Sequence, residues 1–140
     1  MATTPQFANT PNLGANLSAA RISTANTNRD GTGTLATLVT GGANGTRVDR
    51  VNMRAISTTT AGMLRFYLAD AASNIRLIHE IAISAVTPSA TVRAWGYDSD
   101  WVRSDGQPVV VVPSGWTLRV STQNGAPETF DVVAIVSGDF

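Results

Sequence analysis

From Leu35 onward the apolar side chains of this chain fall at alternate positions, and turn-forming residues interrupt them about every 8–12 positions. Side chains alternate across a strand, so this period places one set of residues inside and the other outside. In RVDRVNMRAIS, Val51, Met53 and Ala55 oppose Arg50, Asn52 and Arg54. In MLRFYLAD, Leu64, Phe66 and Leu68 oppose Arg65 and Tyr67. In IRLIHEIAIS, Ile75, Leu77, His79, Ile81 and Ile83 oppose Arg76, Ile78, Glu80 and Ala82. Trp116, Leu118 and Val120 alternate with Thr117, Arg119 and Ser121. The ending TFDVVAIVSGDF is almost continuously apolar, the pattern of a central strand covered on both faces. Gly41-Gly42, Asn44-Gly45 and Pro113-Ser114-Gly115 supply turns. The nearest approach to a helical period, LADAASNIRLIHEIA, is broken by Asn74 and by β-branched residues, and reads as a hairpin. The expectation is an all-β, jelly-roll-like β-sandwich of roughly eight strands with an extended N-terminal arm.

The arm is assigned to residues 1–22 and the sandwich to residues 23–140. The arm is rich in Thr, Asn, Ala and Pro, with few large apolar side chains, so its drive to fold alone is low. Phe7, Leu13 and Leu17 are its isolated apolar anchors. Extended at about 3.3 Å per residue, some fifteen residues reach about 50 Å, enough to cross a subunit boundary. A strand-like arm can add to a neighbour's sheet edge and drop side chains into its pockets.

The 140 residues suffice for one core, since a chain of this size buries roughly 68–70% of its unfolded surface. There is no cysteine, so neither disulfides nor thiolate zinc sites arise. Ten basic and ten acidic residues balance to a net charge of +0, which gives no electrostatic footprint for nucleic acid or an anionic membrane. All the basic residues are arginine, a side chain favoured at interfaces, though genomic base composition also produces such a skew. No apolar run approaches the ~20 residues of a membrane span. The N-terminus lacks a basic segment followed by an apolar one, so no signal peptide is expected.

Catalytic and metal-binding candidates are sparse. His79 is the single histidine and lies on an apolar strand face, a position of core or interface. Asp98, Asp100 and Asp105 offer oxygen ligands, but their spacing misses the calcium-loop pattern. Glu80 and Glu128 are the two glutamates, and nothing in the sequence brings them together as a glycosidase pair. No enzymatic activity, cofactor or metal is expected. Trp95, Tyr97, Trp101 and Trp116 cluster in one third of the chain, where aromatic rings fill cores and interfaces or stack on sugars. Alternation puts Trp95 and Tyr97 on one face with Arg93. The subunit-interface candidates are Arg50, Arg54, Arg65, Trp95 and Tyr97.

Three phrases, ISTANTNRDGTGTLATLVTGGANGTRVDRV, TTTAGMLRFYLADAASNIRLIHEIAI and LRVSTQNGAPETFDVVAIVSGDF, resemble small virion proteins of tailed bacteriophages. The likeness covers most of the chain from about Ile22 and is one of texture, without a catalytic motif. Some of those of similar size and pattern look like head decoration, or cement, proteins. The resemblance implies a jelly-roll subunit that trimerises on the capsid surface, binds the major capsid protein and bridges its subunits. The alternative is a tail- or fibre-associated adsorption protein that binds host glycan through the aromatic cluster.

Overall fold

The computed structural model describes residues 17–99 and 110–139. Nine strands form two antiparallel sheets, with no helix among the described residues. In chain order they are β1 (Leu17–Ile22), β2 (Ala36–Thr40), β3 (Thr46–Ala55), β4 (Gly62–Ala69), β5 (Ile75–Ile83), β6 (Gly96–Ser99), β7 (Val110–Val112), β8 (Thr117–Thr122) and β9 (Phe130–Asp139).

The first sheet has the order β1-β9-β3-β6, and β7 shares with β6 the same edge of β3. The second sheet has the order β2-β8-β4-β5. Most connections cross from one sheet to the other, and only β4–β5 is a hairpin between neighbours within a sheet. That winding is a jelly roll, in which β6 and β7 together occupy one strand position. The sequence expectation of an all-β jelly-roll-like sandwich holds.

The core lies between the sheets and follows the period of two. Val51, Met53 and Ala55 on β3 pair with Ala134, Val132 and Phe130 on β9, and all six are buried. Leu64 and Phe66 on β4, with Leu118 and Val120 on β8, face them from the second sheet. Trp95 stands edge-on to Phe130, ring centroids 5.9 Å apart.

Four expectations need correction. First, residues 17–22, assigned to the arm, form β1 and belong to the sandwich. They pair along β9 from Leu17 opposite Ile135 to Ile22 opposite Phe130. Ser18, Ala20 and Ile22 turn inward, but small side chains give this alternation little apolar contrast. Second, the outer side of β9 is not covered by the described residues: Val133 and Ile135 are only half-buried. Third, the alternation of β5 fails at a bulge, where Tyr67 pairs with Leu77 and Phe66 with His79, which leaves Ile78 as the extra residue. Leu77, Ile78 and His79 are exposed along this edge. Fourth, Arg65 and Tyr67 are not solvent-facing. They are among the largest fully buried side chains of the protein.

The reason for that burial is the connection between β1 and β2. Residues 23–35 cross the outer face of the second sheet as a strap. Ala25 bridges Thr122 of β8, and the Asn26 amide donates to the Thr122 carbonyl at 2.8 Å. Gly31, at φ +89°, lies so close to Ile75 of β5 that a Cβ there would sit 2.7 Å from its Cγ2. Only glycine meets both demands.

Candidate functional site

Arg65 anchors the strap from beneath. Its Nε donates to Glu80 Oε1 at 2.9 Å, Nη1 to the Asn26 carbonyl at 3.1 Å and Nη2 to Gln123 Oε1 at 2.9 Å. Tyr67 donates its hydroxyl to the Asn28 carbonyl at 3.0 Å. From above, Arg29 reaches the same Glu80 oxygen at 2.9 Å. Arg29 and Arg65 hold the Glu80 carboxyl below the usual carboxylate range, Arg29 contributing most. Asn26 fastens the strap to itself, donating to the Thr32 and Thr34 carbonyls. The guanidinium of Arg65 and the hydroxyl of Tyr67 find their partners within the protomer, while the buried Ser121 Oγ opposite Arg65 has none among the described residues. Arg65 is thereby removed from the subunit-interface candidates, since 1% of its surface is exposed.

The first sheet's outer face has no such cover among the described residues. The strand registers lay out three cross-strand rows on it. One row is Arg21, Asp131, Arg54 and Gly96; the next is Ala19, Val133, Asn52 and Asp98; the third is Leu17, Ile135 and Arg50. The centre is apolar, from exposed Leu17 through Ile135, Ala19 and Val133. Arginines border it. A shallow groove of about 370 Å³ runs between β1 and β9 along Ala19, Arg21, Asp131 and Val133. Arg21 closes one end by a fork onto Asp131, at 2.6 and 3.0 Å. This bond keeps the Asp131 carboxyl below its ordinary range. Asn52 sits in the middle row with its Oδ1 enclosed and unpartnered.

At the β6 edge of the same face, Arg54 forks onto Asp98 at 2.8 and 3.1 Å and donates to the Met53 carbonyl at 2.7 Å. Gly96 permits this. A Cβ there would lie 2.7 Å from Arg54 Cδ, so the side chain rests flat on the glycine backbone. The bond lowers the Asp98 pKa, with a smaller contribution from the nearby Arg50 charge. Beyond the pair opens a cleft of about 710 Å³, lined by Arg54, Arg93, Ala94, Gly96, Tyr97 and Asp98.

The structure thus brings Leu17, Arg50 and Arg54 onto one face, whereas Tyr97, paired opposite core-facing Met53, stands on the other side of β6. Trp95 is separated from them and packs in the core, where 8% of it is exposed, so it too leaves the interface set. Trp95 and Tyr97 do sit on one side of their strand, but the sandwich ends between them: Tyr97 is 50% exposed. Phe7 and Leu13 lie outside the described residues, as do Asp100, Trp101 and Asp105. His79 is at an exposed edge, its ring 6.4 Å from Phe66, and not in the core. Glu128 is far from a pairing with Glu80. It accepts from the Thr60 amide and hydroxyl and from Asn124, and ties the β8–β9 loop to the β3–β4 loop. Among the described residues no cluster of three His, Asp or Glu side chains could hold a metal. Sequence reasoning passed over Val133, Ile135 and Gly96. Their signal was present in the register of β9 against β1 and in a glycine at a strand position opposite an arginine.

No protein-family model matches the sequence, and no curated protein matches it either.

Proposed function

We propose that this protein is a structural component of a tailed-phage particle, which binds the outside of the capsid and stabilises it by bridging subunits of the major capsid protein. The observation that carries this reading is the inequality of the two outer faces. The second sheet is crossed by the strap, which covers Arg65 and Tyr67 and binds them through its backbone carbonyls. The first sheet keeps an apolar centre of Leu17, Ile135 and Val133 inside a border of arginines. An apolar patch rimmed by polar side chains is the composition of a protein-binding surface. The texture of the sequence, similar to head decoration proteins, supplies the partner. The subunit acts as a homotrimer, with Arg50 and Arg54 toward neighbouring protein.

The mechanism is linkage. A protein that binds only the assembled shell stabilises it by RT ln(1 + c/Kd) per site, where c is its free concentration. Three joined copies raise the effective concentration of each contact, so individually weak contacts suffice. The test uses expanded shells stripped of this protein, to which purified protein is returned. The expected result is saturable attachment and a higher melting temperature of the shell. Val133→Glu, which puts a charge in the apolar centre, abolishes attachment while the isolated protein still melts cooperatively. Failure to attach, or attachment indifferent to Val133→Glu, overturns the proposal. Binding to a host glycan instead transfers the protein to the tail.

A further inference from the structure

We infer that the groove between β1 and β9 receives residues 1–16 of a second copy of this chain, with Phe7 as the inserted side chain. This rests on the reading of the protein as a homotrimer and names what joins its copies.

Ala19 and Ala20 of β1 line the groove with small side chains, Val133 of β9 adds an apolar one, and the Arg21–Asp131 fork closes one end. At about 370 Å³ it lies at the lower end of the range for small-molecule sites, with room for one large side chain and little more. On its other side β1 pairs with no strand among the described residues, so a segment laid beside it gains backbone hydrogen bonds. Arg21 and Asp131 neutralise each other, and they are the only charged side chains in the lining among the described residues. A charged partner gains nothing from such a groove, whereas an uncharged segment with a large apolar side chain does.

Residues 1–16 have that composition: no charged side chain, with Phe7 and Leu13 as large apolar ones. Phe7, Leu13 and Leu17 are separated by even intervals, so an extended chain carries all three on one face. Leu17 shares the outer face with Ala19 and Val133, the face on which the groove opens. Ten positions separate Phe7 from Leu17, about 33 Å when extended. The four strands of a sheet span only about 15 Å. Direction then decides which copy is reached. β1 runs from Leu17 toward Arg21, and the groove lies along that run, so the preceding residues join at the end away from the fork. A chain that filled its own groove must reverse, and one that fills a neighbour's need not. Each copy gives one segment and offers one groove, a heterologous contact that closes into a ring. Leu17 and Ile135, one row from the groove, remain for the shell.

The test pairs two full-length variants, each lacking one half of the contact. Phe7→Asp spoils the segment and keeps the groove. Ala19→Glu blocks the groove and keeps the segment; Ala19 is exposed, so the larger side chain fits the fold, and Val133→Glu takes its place if melting is not cooperative. Wild type sediments as a trimer and each variant alone as a monomer. Unlabelled Ala19→Glu protein is then titrated into isotope-labelled Phe7→Asp protein and followed by NMR at the Ala19 and Val133 amides. These signals shift saturably, whereas unlabelled Phe7→Asp protein leaves them in place. A monomeric wild type, a Phe7→Asp variant that stays trimeric, amides unmoved by the Ala19→Glu protein, or equal shifts from both partners each overturn the inference. Protein that passes every step yet ignores stripped shells upholds it and overturns the capsid reading alone. Protein that attaches to shells while its Phe7→Asp variant stays trimeric overturns the inference and leaves the capsid reading standing.

Discussion

Replacing Arg65 by methionine keeps the bulk of the side chain and deletes its charge and its donors. In the wild type these donors meet Glu80, Asn26 and Gln123 from a position with 1% of its surface exposed. A hydrogen bond involving a charged group contributes about 1.5–3 kcal/mol, and three that share one guanidinium are not additive. Glu80 keeps Arg29, and 32% of its side chain is exposed, so water restores part of what it loses. The Asn26 carbonyl is shut beneath the strap and loses its side-chain donor outright. The net cost is about 3 kcal/mol, near the lower end for breaking a buried ion pair. For a domain of this size that lowers the melting temperature by roughly 10 °C. Thermal melting by circular dichroism measures the loss, and hydrogen exchange locates it. The Asn26 and Asn28 amides, bonded to the Thr122 carbonyl and to Asn26 Oδ1, should lose protection before those of β9. A variant that melts within about 2 °C of wild type, with the Asn26 amide still protected, would refute the role given to Arg65.

Other outcomes follow from the same geometry. Glu80, Asp98 and Asp131 all have folded pKa values held down by arginines, so their stabilisation is present above the ordinary carboxylate range and is lost as pH falls through the folded values. Melting temperature should fall below about pH 4, and Glu80→Gln should flatten that fall. Gly41→Ala places a Cβ 1.9 Å from the Pro113 carbonyl oxygen, which is backbone and cannot swing aside, so a loss of roughly 3 kcal/mol or more is expected in denaturant unfolding. Sedimentation equilibrium at micromolar concentration should give a trimer, and a purely monomeric protein would count against the proposed assembly. Deleting residues 1–13, which removes Phe7 and Leu13, should weaken attachment to shells while the melting temperature stays within about 2 °C.

Much of the sandwich was legible because its strands have large contrasts at period two. Val51, Met53 and Ala55 against Arg50, Asn52 and Arg54 is a pattern that only one pairing face satisfies. What was hidden had weak contrast or an unusual cover. β1 alternates among Ser, Ala and Arg, so its inward residues look like those of an arm. Arg65 and Tyr67 occupy positions that alternation assigns to solvent, and they are covered by backbone carbonyls of the strap. A polar lid over polar side chains leaves no apolar signature. Trp95 and Tyr97 parted because the sandwich ends between them, and a sequence does not mark where a sheet stops being thick. On the outer face, the positions of Arg50 and Arg54 were recoverable from period alone; those of Val133 and Ile135 required the register of a strand far along the chain.

The placement of β9 has a further consequence for biosynthesis. It is the strand furthest along the chain, yet it lies between β1 and β3 in the first sheet. Until β9 has left the ribosome, β1 has no sheet neighbour and β3 has β6 and β7 along one edge only. The second sheet contains no strand later than β8, so its ladder can be assembled while β9 is still in the exit tunnel. Until then the growing chain carries β1 and β3 as open templates, able to pair with any other nascent copy nearby. Translation of many copies at once therefore favours exchange of β9 between chains, and slower translation or a chaperone that shields β3 should raise the yield of correctly closed protein.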